Sequence, residues 1–213
     1  MKRHHVLAAT LAGITIAALL VDTAIVVATG QRTFITDDSQ GSNASVLASG
    51  VVLGITFLAM GLVVMRESSR FATARRPARI GRPVLMVGLF FLGSGFLTVY
   101  PLQTLSGLDE DAVAIQVSGL VAFSALTAAF LAAFVIGLAV IGRNPLGIGG
   151  LILGLMGPVV MLTFLLGLVV PAAASPVYCT MVVLAGVSLI GVRAKPITQQ
   201  ESRAVTAPTT SSV

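Results

Sequence analysis

The segment from Arg66 to Arg82 constrains the fold more than any other part of the chain. Its sequence, RESSRFATARRPARIGR, sets six arginines and one glutamate between two long runs of apolar residues. Cations are costly inside the hydrocarbon core of a membrane, whereas an apolar run of about 20 residues is long enough to cross it as a helix. The segment therefore predicts a polar connection between two membrane-spanning helices.

The rest of the chain repeats this pattern. It is 56% hydrophobic and 10% charged, whereas about 25% of the residues of an ordinary soluble domain are charged. The apolar runs do not alternate with polar residues as barrel strands do. We predict an all-α polytopic membrane protein, with a bundle of six transmembrane helices in residues 1–193 and a disordered cytoplasmic tail in residues 194–213. The predicted spans are residues 6–28, 46–65, 84–105, 112–141, 146–170 and 174–192, and the third is expected to begin at Arg82-Pro83, because proline suits a first helical position.

Basic residues set the predicted orientation. If the Arg66–Arg82 segment is cytoplasmic, only Arg32 of the 13 lysines and arginines lies outside. Membrane proteins keep Lys and Arg in cytoplasmic loops, so we predict that both termini are cytoplasmic. The Ala, Val and Arg usage favours a bacterial protein, hence the bacterial cytoplasmic membrane. The first apolar run leaves a signal peptide open, but it exceeds the usual core of about 7–15 residues, which favours an uncleaved span.

Composition also excludes several classes of function. The net charge of +5 does not indicate nucleic-acid binding, because the basic residues flank apolar spans. Cys179 is the single cysteine, so the chain has no intramolecular disulfide and no Cys/His zinc pattern. His4 and His5 are expected to be a solvated positive flank. We expect no metal and no cofactor; the expected partners are the lipid bilayer and either another membrane subunit or a second copy of the chain.

A polar pocket open to the outside is the first candidate site. Asp22 is the one acidic residue inside a predicted span, where a carboxylate costs about 2.5–3.5 kcal/mol. Such residues usually face the bundle interior, although Asp22 lies near enough to the outer surface for simple hydration to explain it. With Tyr100 and Gln103 near the outer end of the third span, and Gln116 early in the fourth, it forms our candidate pocket.

The outer loops carry a second candidate, an acidic patch formed by Asp37, Asp38, Asp109, Glu110 and Asp111. Acidic residues stabilise the N-terminal end of a helix, so residues 109–111 are expected to cap the fourth helix. Recognition of a cationic ligand or partner is the alternative. The patch by itself does not distinguish the two.

Small residues predict how the helices pack, because lipid removes the hydrophobic drive and leaves close van der Waals contact. We predict that a stripe on the fourth span meets a stripe on the fifth in an antiparallel hairpin, and that Pro158 kinks the fifth helix. A short motif that begins with Ile-Gly recurs at residues 80–83, 141–145 and 190–193. It indicates either a duplicated helical hairpin or a coincidence. The two stripes consist of Ala125, Ala129, Ala133 and Gly137, and of Gly147, Gly150, Gly154 and Gly157.

Tyr100-Pro101, the acidic residues 109–111 and the long fourth span that follows together resemble a six-helix bacterial membrane family, domain of unknown function 998. That family tends to have a histidine early in the fourth helix, where this chain has Gln116, Val117 and Ser118. The resemblance implies the six-helix fold and no defined activity.

The sequence contains no recognisable catalytic group. Ser94 in Gly93-Ser94-Gly95 could act as a nucleophile only with a base, and no predicted span contains a histidine. We therefore expect a non-catalytic accessory or scaffold subunit of a membrane complex, and an enzyme is not favoured. The alternative is a transporter of a small molecule, ion or lipid that uses Asp22 and the polar pocket.

Overall fold

The computed structural model describes residues 3–29, 43–106, 113–141, 144–169 and 176–194. In these ranges the chain forms helices and no strand, which confirms the all-helical class. The helices are α1 (Arg3–Thr29), α2 (Asn43–Arg66), α3 (Ser68–Ala72), α4 (Arg76–Ser106), α5 (Val113–Ala139), α6 (Ile148–Leu153), α7 (Met156–Val169) and α8 (Val177–Ser188). The predicted tail lies outside these ranges from residue 195 onward.

Four helical segments of the described chain are long and apolar enough to cross a membrane, which indicates a membrane protein. They are His5–Ile25, Arg76–Val99, Gln116–Ala139 and Ile148–Leu165, while Gly50–Arg66 and Val177–Ser188 are shorter apolar segments. At 1.5 Å per residue, α8 alone is about 18 Å long, less than the hydrocarbon core of about 30 Å. Six crossings and cytoplasmic termini therefore stay predictions.

The arginine-rich segment is more helical than predicted. It contains α3, and α4 begins at Arg76 rather than at Val84, so the prediction of a helix start at Arg82-Pro83 is wrong. The amides of Ala78 and Arg79 both donate to the carbonyl of Arg75, which begins the helix one residue before Pro77. Proline is tolerated there because its missing N–H would have no partner within the first turn.

The fifth predicted span is broken between α6 and α7, at Gly154 and Leu155, and not kinked at Pro158 as predicted. Pro158 has no N–H to donate to the carbonyl of Gly154 four residues earlier, so the helix loses that bond. The amide of Leu155 instead donates to Ile152 at 2.9 Å, in a tighter turn. The proline thus acts one turn before its own position and itself lies in the first turn of α7.

The recurring Ile-Gly motif, one explanation of which is a duplicated hairpin, has different conformations at the two places where the structure describes it. Gly81 lies inside α4, whereas Gly191 follows α8 in a turn with φ of +84°. Because L residues with a side chain rarely adopt this φ, the glycine at 191 has a local reason that the glycine at 81 does not share.

The bundle is built around α4, which packs on α2 along one side and on α5 along the other. Gly54 of α2 faces Gly93 of α4 so closely that a Cβ on Gly93 would lie 2.9 Å from the Gly54 carbonyl oxygen. Nearby, the rings of Phe57 and Phe96 stack with centroids 5.7 Å apart. α1 and α6 pack mainly on α8, which completes the core.

The predicted small-residue stripes are divided between two interfaces. Ala125 and Ala129 of α5 lie against Gly88 of α4, so this part of the stripe does not depend on the fifth span. Gly137 does approach the fifth span, because a Cβ there would lie 2.8 Å from the amide nitrogen of Gly154. Of the remaining stripe residues, Gly157 meets the ring of Phe134, Gly150 meets Asn144, Gly147 meets Val192 and Ala194, and Ala133 is fully buried.

Candidate functional site

A buried cluster of charged and polar groups lies where α1 begins and α2 ends. His5 Nε2 lies 3.0 Å from Glu67 Oε1, and Arg70 Nε donates to Glu67 Oε2 at 2.8 Å. The side chains of His5 and Glu67 are each 9% exposed, and that of Arg70 is 21% exposed. The prediction that His5 belongs to a solvated flank is therefore wrong, because it is enclosed beside a carboxylate 62 residues away along the chain.

The cluster holds Glu67 in its ionised form. Burial by itself would raise the pKa of Glu67, but the hydrogen bonds from His5 and Arg70 and the charge of Arg70 outweigh burial, so the pKa lies below the usual value of a glutamate. An ionised carboxylate can only accept hydrogen bonds, so Nε2 of His5 carries the proton in this contact. Glu67 thus joins the start of α1 to the connection between α2 and α3.

The end of α8 reaches the same cluster through Gly191. A Cβ at this glycine would lie 2.9 Å from Arg70 Nε, so a larger residue would displace the guanidinium. The N-terminal end of α1, the Arg66–Arg82 segment and the turn after α8 therefore meet at one end of the bundle.

Arg82 has a different structural role from Arg70, because it binds backbone carbonyls. Its Nε donates to the carbonyl of Val64 at 3.2 Å and its Nη2 to that of Met65 at 3.1 Å. These carbonyls belong to the last turn of α2, where a cation is favourable because the helix dipole is negative. Arg70 and Arg82 are thus bound within the protein. The other four arginines of the segment are exposed, and their side chains have no hydrogen bond or ion pair to another described residue: Arg66, Arg75, Arg76 and Arg79.

A second polar contact joins α1 and α2 within the apolar region. The hydroxyl oxygens of Thr15 and Thr56 are 2.9 Å apart, and both residues are buried. Thr56 also donates to the carbonyl of Val52 at 2.7 Å. A hydroxyl has one proton, so Thr15 is the donor between the two threonines. Both hydroxyls are satisfied, and the pair fixes how α1 sits on α2.

An apolar cavity of about 180 Å³ lies where α1, α2, α4, α5 and α8 meet. Leu19, Phe57, Phe96 and Leu126 contribute to its lining, as does Thr180. The Thr180 hydroxyl donates to the carbonyl of Pro176 at 3.1 Å, so its proton is used within α8. The cavity suits an apolar group rather than an ion.

The structure describes only part of the predicted polar pocket. Asp22 lies in α1, and Tyr100 and Gln103 lie in α4, but their side chains fall outside what the structure describes. Gln116 lies in α5 and is exposed. The acidic residues 37, 38 and 109–111 also lie outside the described residues. The pocket and the acidic patch therefore stay predictions.

Among the described residues no group of three or more His, Cys, Asp or Glu side chains is arranged to hold a metal ion. Cys179 is buried in α8. The His5–Glu67–Arg70 cluster was not predicted from the sequence. The sequence contains one indication of it, because Glu67 is the only acidic residue in a segment with six arginines.

Comparison with known proteins finds no matching family model, no matching curated protein and no matching solved structure. The resemblance to domain of unknown function 998 stays a prediction.

Proposed function

We propose that this chain is a non-catalytic accessory or scaffold subunit of a complex in the bacterial cytoplasmic membrane. The observation that carries the proposal is the poorly covered surface of α5 and α7. In the described part of α7, Val160, Met161, Leu162, Phe164 and Leu165 are exposed, and these positions cover more than half of the helix circumference. A transmembrane partner that packs on α7 would cover this surface.

The outer half of α5 is also exposed, and it carries polar side chains among its apolar ones. Gln116, Ser124 and Thr127 are exposed there, although polar side chains within membranes usually face protein. Thr127 satisfies its hydroxyl on the Phe123 carbonyl at 2.9 Å. The carboxamide of Gln116 offers two donors and an acceptor to a neighbouring chain. A membrane-embedded partner against α5 and α7 would cover both the apolar and the polar groups.

The proposed topology has six crossings with both termini in the cytoplasm. It is supported by the meeting of His5, Arg70 and Gly191 at one end of the bundle, because an even number of crossings returns the chain to the side where it began. The count of basic residues supports the same orientation. Membrane-impermeant maleimide tests it in a Cys179→Ala background. Ser39→Cys and Ala172→Cys should be labelled in intact cells, and Ser69→Cys only after permeabilisation; any other pattern overturns the topology.

Photo-crosslinking in native membranes tests the subunit role. A photoreactive phenylalanine analogue at Phe123 of α5 or Phe164 of α7 should give an adduct with one defined polypeptide. Phe91 of α4, which is exposed to a similar degree, is the matched control and should give none. Native mass spectrometry of the gently extracted protein should then show that polypeptide in fixed stoichiometry. Identical adducts from all three positions, or none from any, would count against the proposal.

The cavity between five helices favours a second candidate function, transport of a small apolar molecule or lipid. This candidate would use the cavity together with Asp22 and the predicted outward-facing pocket. Proteoliposomes containing the purified chain test it by substrate-dependent flux. Flux that Leu126→Trp blocks by filling the cavity would favour transport, whereas the absence of flux over a broad substrate panel would remove this candidate.

A further inference from the structure

A groove between α4 and α5 begins at the arginine-rich end of the bundle. It runs from Arg76 to Val84, about 12 Å along the helix at 1.5 Å per residue. Its volume is about 530 Å³, within the range of about 300–1,000 Å³ that is typical of ligand sites. Arg76 is the one charged residue in its lining, which otherwise consists of Pro77, Ile80, Gly81, Val84, Ala128, Leu131, Ala132 and Val135.

Small residues form the floor of this groove and large ones its walls. A Cβ on Gly81 would lie 3.0 Å from Ile136 Cγ1 and 3.3 Å from the Ala132 carbonyl oxygen, so the two helices are in close contact there. Ile80 and Leu131 rise on either side and are 59% and 60% exposed. The groove is therefore formed by the helix contact itself and is open at the surface of the bundle.

Charge is concentrated at one end of the groove. Arg79 lies three residues after Arg76 on α4, so the two guanidinium groups share a face of the helix. Both are exposed and unpaired among the described residues, in contrast to Arg70 and Arg82, which are bound within the protein. An occupant that satisfies the whole groove is apolar along its length and anionic at the arginine end.

We propose that this groove binds one acyl chain of an anionic phospholipid, whose phosphate is held by Arg76 with Arg79 beside it. The arginine fork matches phosphate oxygens, and the apolar walls replace neighbouring lipid chains around the acyl chain. Diffuse attraction of anionic lipid to a basic surface would depend on all the exposed arginines alike. A built site depends on Arg76 far more than on Arg66, which does not line the groove.

Tryptophan fluorescence tests the site directly, because the chain contains no tryptophan. Leu131→Trp places a single fluorophore on the groove wall, and Leu120→Trp places one on the same helix outside the groove. Each variant is reconstituted in mixed bilayers in which either phosphatidylglycerol or phosphatidylcholine carries brominated chains. Brominated phosphatidylglycerol should quench Leu131→Trp more strongly than brominated phosphatidylcholine at equal mole fraction, and the two lipids should quench Leu120→Trp equally.

Two arginine substitutions separate the site from general attraction. In the Leu131→Trp background, Arg76→Gln should lower the preference for phosphatidylglycerol about tenfold, because a tenfold change corresponds to about 1.4 kcal/mol, close to the contribution of one hydrogen bond to a charged group. Arg66→Gln removes the same charge outside the groove and should change the preference less than twofold. Equal effects of the two substitutions, or no preference in the Leu131→Trp parent, would overturn the proposal.

A measurement on the chain without an introduced tryptophan tests the site independently, because a tryptophan on the groove wall could itself alter the groove. Native mass spectrometry of the otherwise unmodified chain should retain one phosphatidylglycerol, and Arg76→Gln should lose it. Ala128→Leu fills the groove but leaves every arginine in place, and should also lose it. Retention by Ala128→Leu would show that charge alone holds the lipid, and the groove would then have no role.

Discussion

Replacing Glu67 with glutamine removes the only described anion that faces Arg70 and His5. Glutamine keeps the size of the side chain, so the change acts on charge and hydrogen bonding rather than on packing. Arg70 would keep its positive charge with 21% of its side chain exposed, and its Nη1 is already buried without a partner in the described part of the chain. The guanidinium would therefore be left largely desolvated and without a counter-charge, with at most one hydrogen bond to the amide oxygen of the glutamine.

The cost follows from this geometry. Removing one partner of a buried ion pair destabilises a protein by about 3–5 kcal/mol. The residual exposure of Arg70 places the expected loss at the lower end, about 3 kcal/mol. For a chain of this size, a loss of 1 kcal/mol lowers Tm by about 2–4 °C, so Glu67→Gln should lower Tm by about 6–12 °C.

The single buried cysteine supplies the assay. Cys179 is 5% exposed, so a dye that fluoresces on reaction with thiols reports unfolding of the detergent-purified protein during heating. Arg66→Gln is the matched control, because it removes one exposed charge from the adjacent position and should change stability by less than about 0.5 kcal/mol. A Tm for Glu67→Gln equal to that of Arg66→Gln would refute the argument that the cluster stabilises the fold.

Acid pH provides a second test of the same cluster. The pKa of Glu67 is lower in the folded protein than in the unfolded chain, so the unfolded state takes up a proton first as the pH falls. The stabilisation is thus fully present at neutral pH and is lost as the pH falls from the ordinary glutamate value through the lowered one. The difference in Tm between the wild type and Glu67→Gln should shrink over that range, and a constant difference would contradict the linkage.

Two further predictions concern helix contacts and use the same thermal assay. Gly137→Ala should lower Tm by several degrees, because the new Cβ would meet the backbone of Leu153 at a distance that requires the helices to separate. Gly119→Ala on the same helix has open space around it and should not lower Tm, so equal losses would contradict this. Thr15→Val should cost about 0.6 kcal/mol, typical of a hydrogen bond between membrane helices, whereas Thr10→Val removes only an exposed contact to its own helix. A larger loss for Thr10→Val would refute the role of the threonine pair.

Local properties of the sequence predicted the class of this protein. Whether a run of residues is apolar enough and long enough to cross a membrane depends on that run alone, because lipid is the same solvent everywhere. The helices therefore lie close to the predicted spans. The break at Gly154 and Leu155 lies within one turn of Pro158, where a kink was predicted, because proline acts on its own helix. The helix start was missed because two prolines, Pro77 and Pro83, each fit that role, and local rules do not choose between them.

The pairing of distant residues was decided only by the tertiary structure. His5 and Glu67 are 62 residues apart, and nothing in the flanking sequence shows that the start of α1 closes over the end of α2. The six arginines look alike in sequence, yet Arg70 binds an acid, Arg82 binds helix carbonyls and Arg76 borders an apolar groove. A side chain's role depends on which helices meet around it, and that depends on the packing of the whole bundle. The sequence determines that a charged residue stays out of lipid, whereas the fold determines which group it binds.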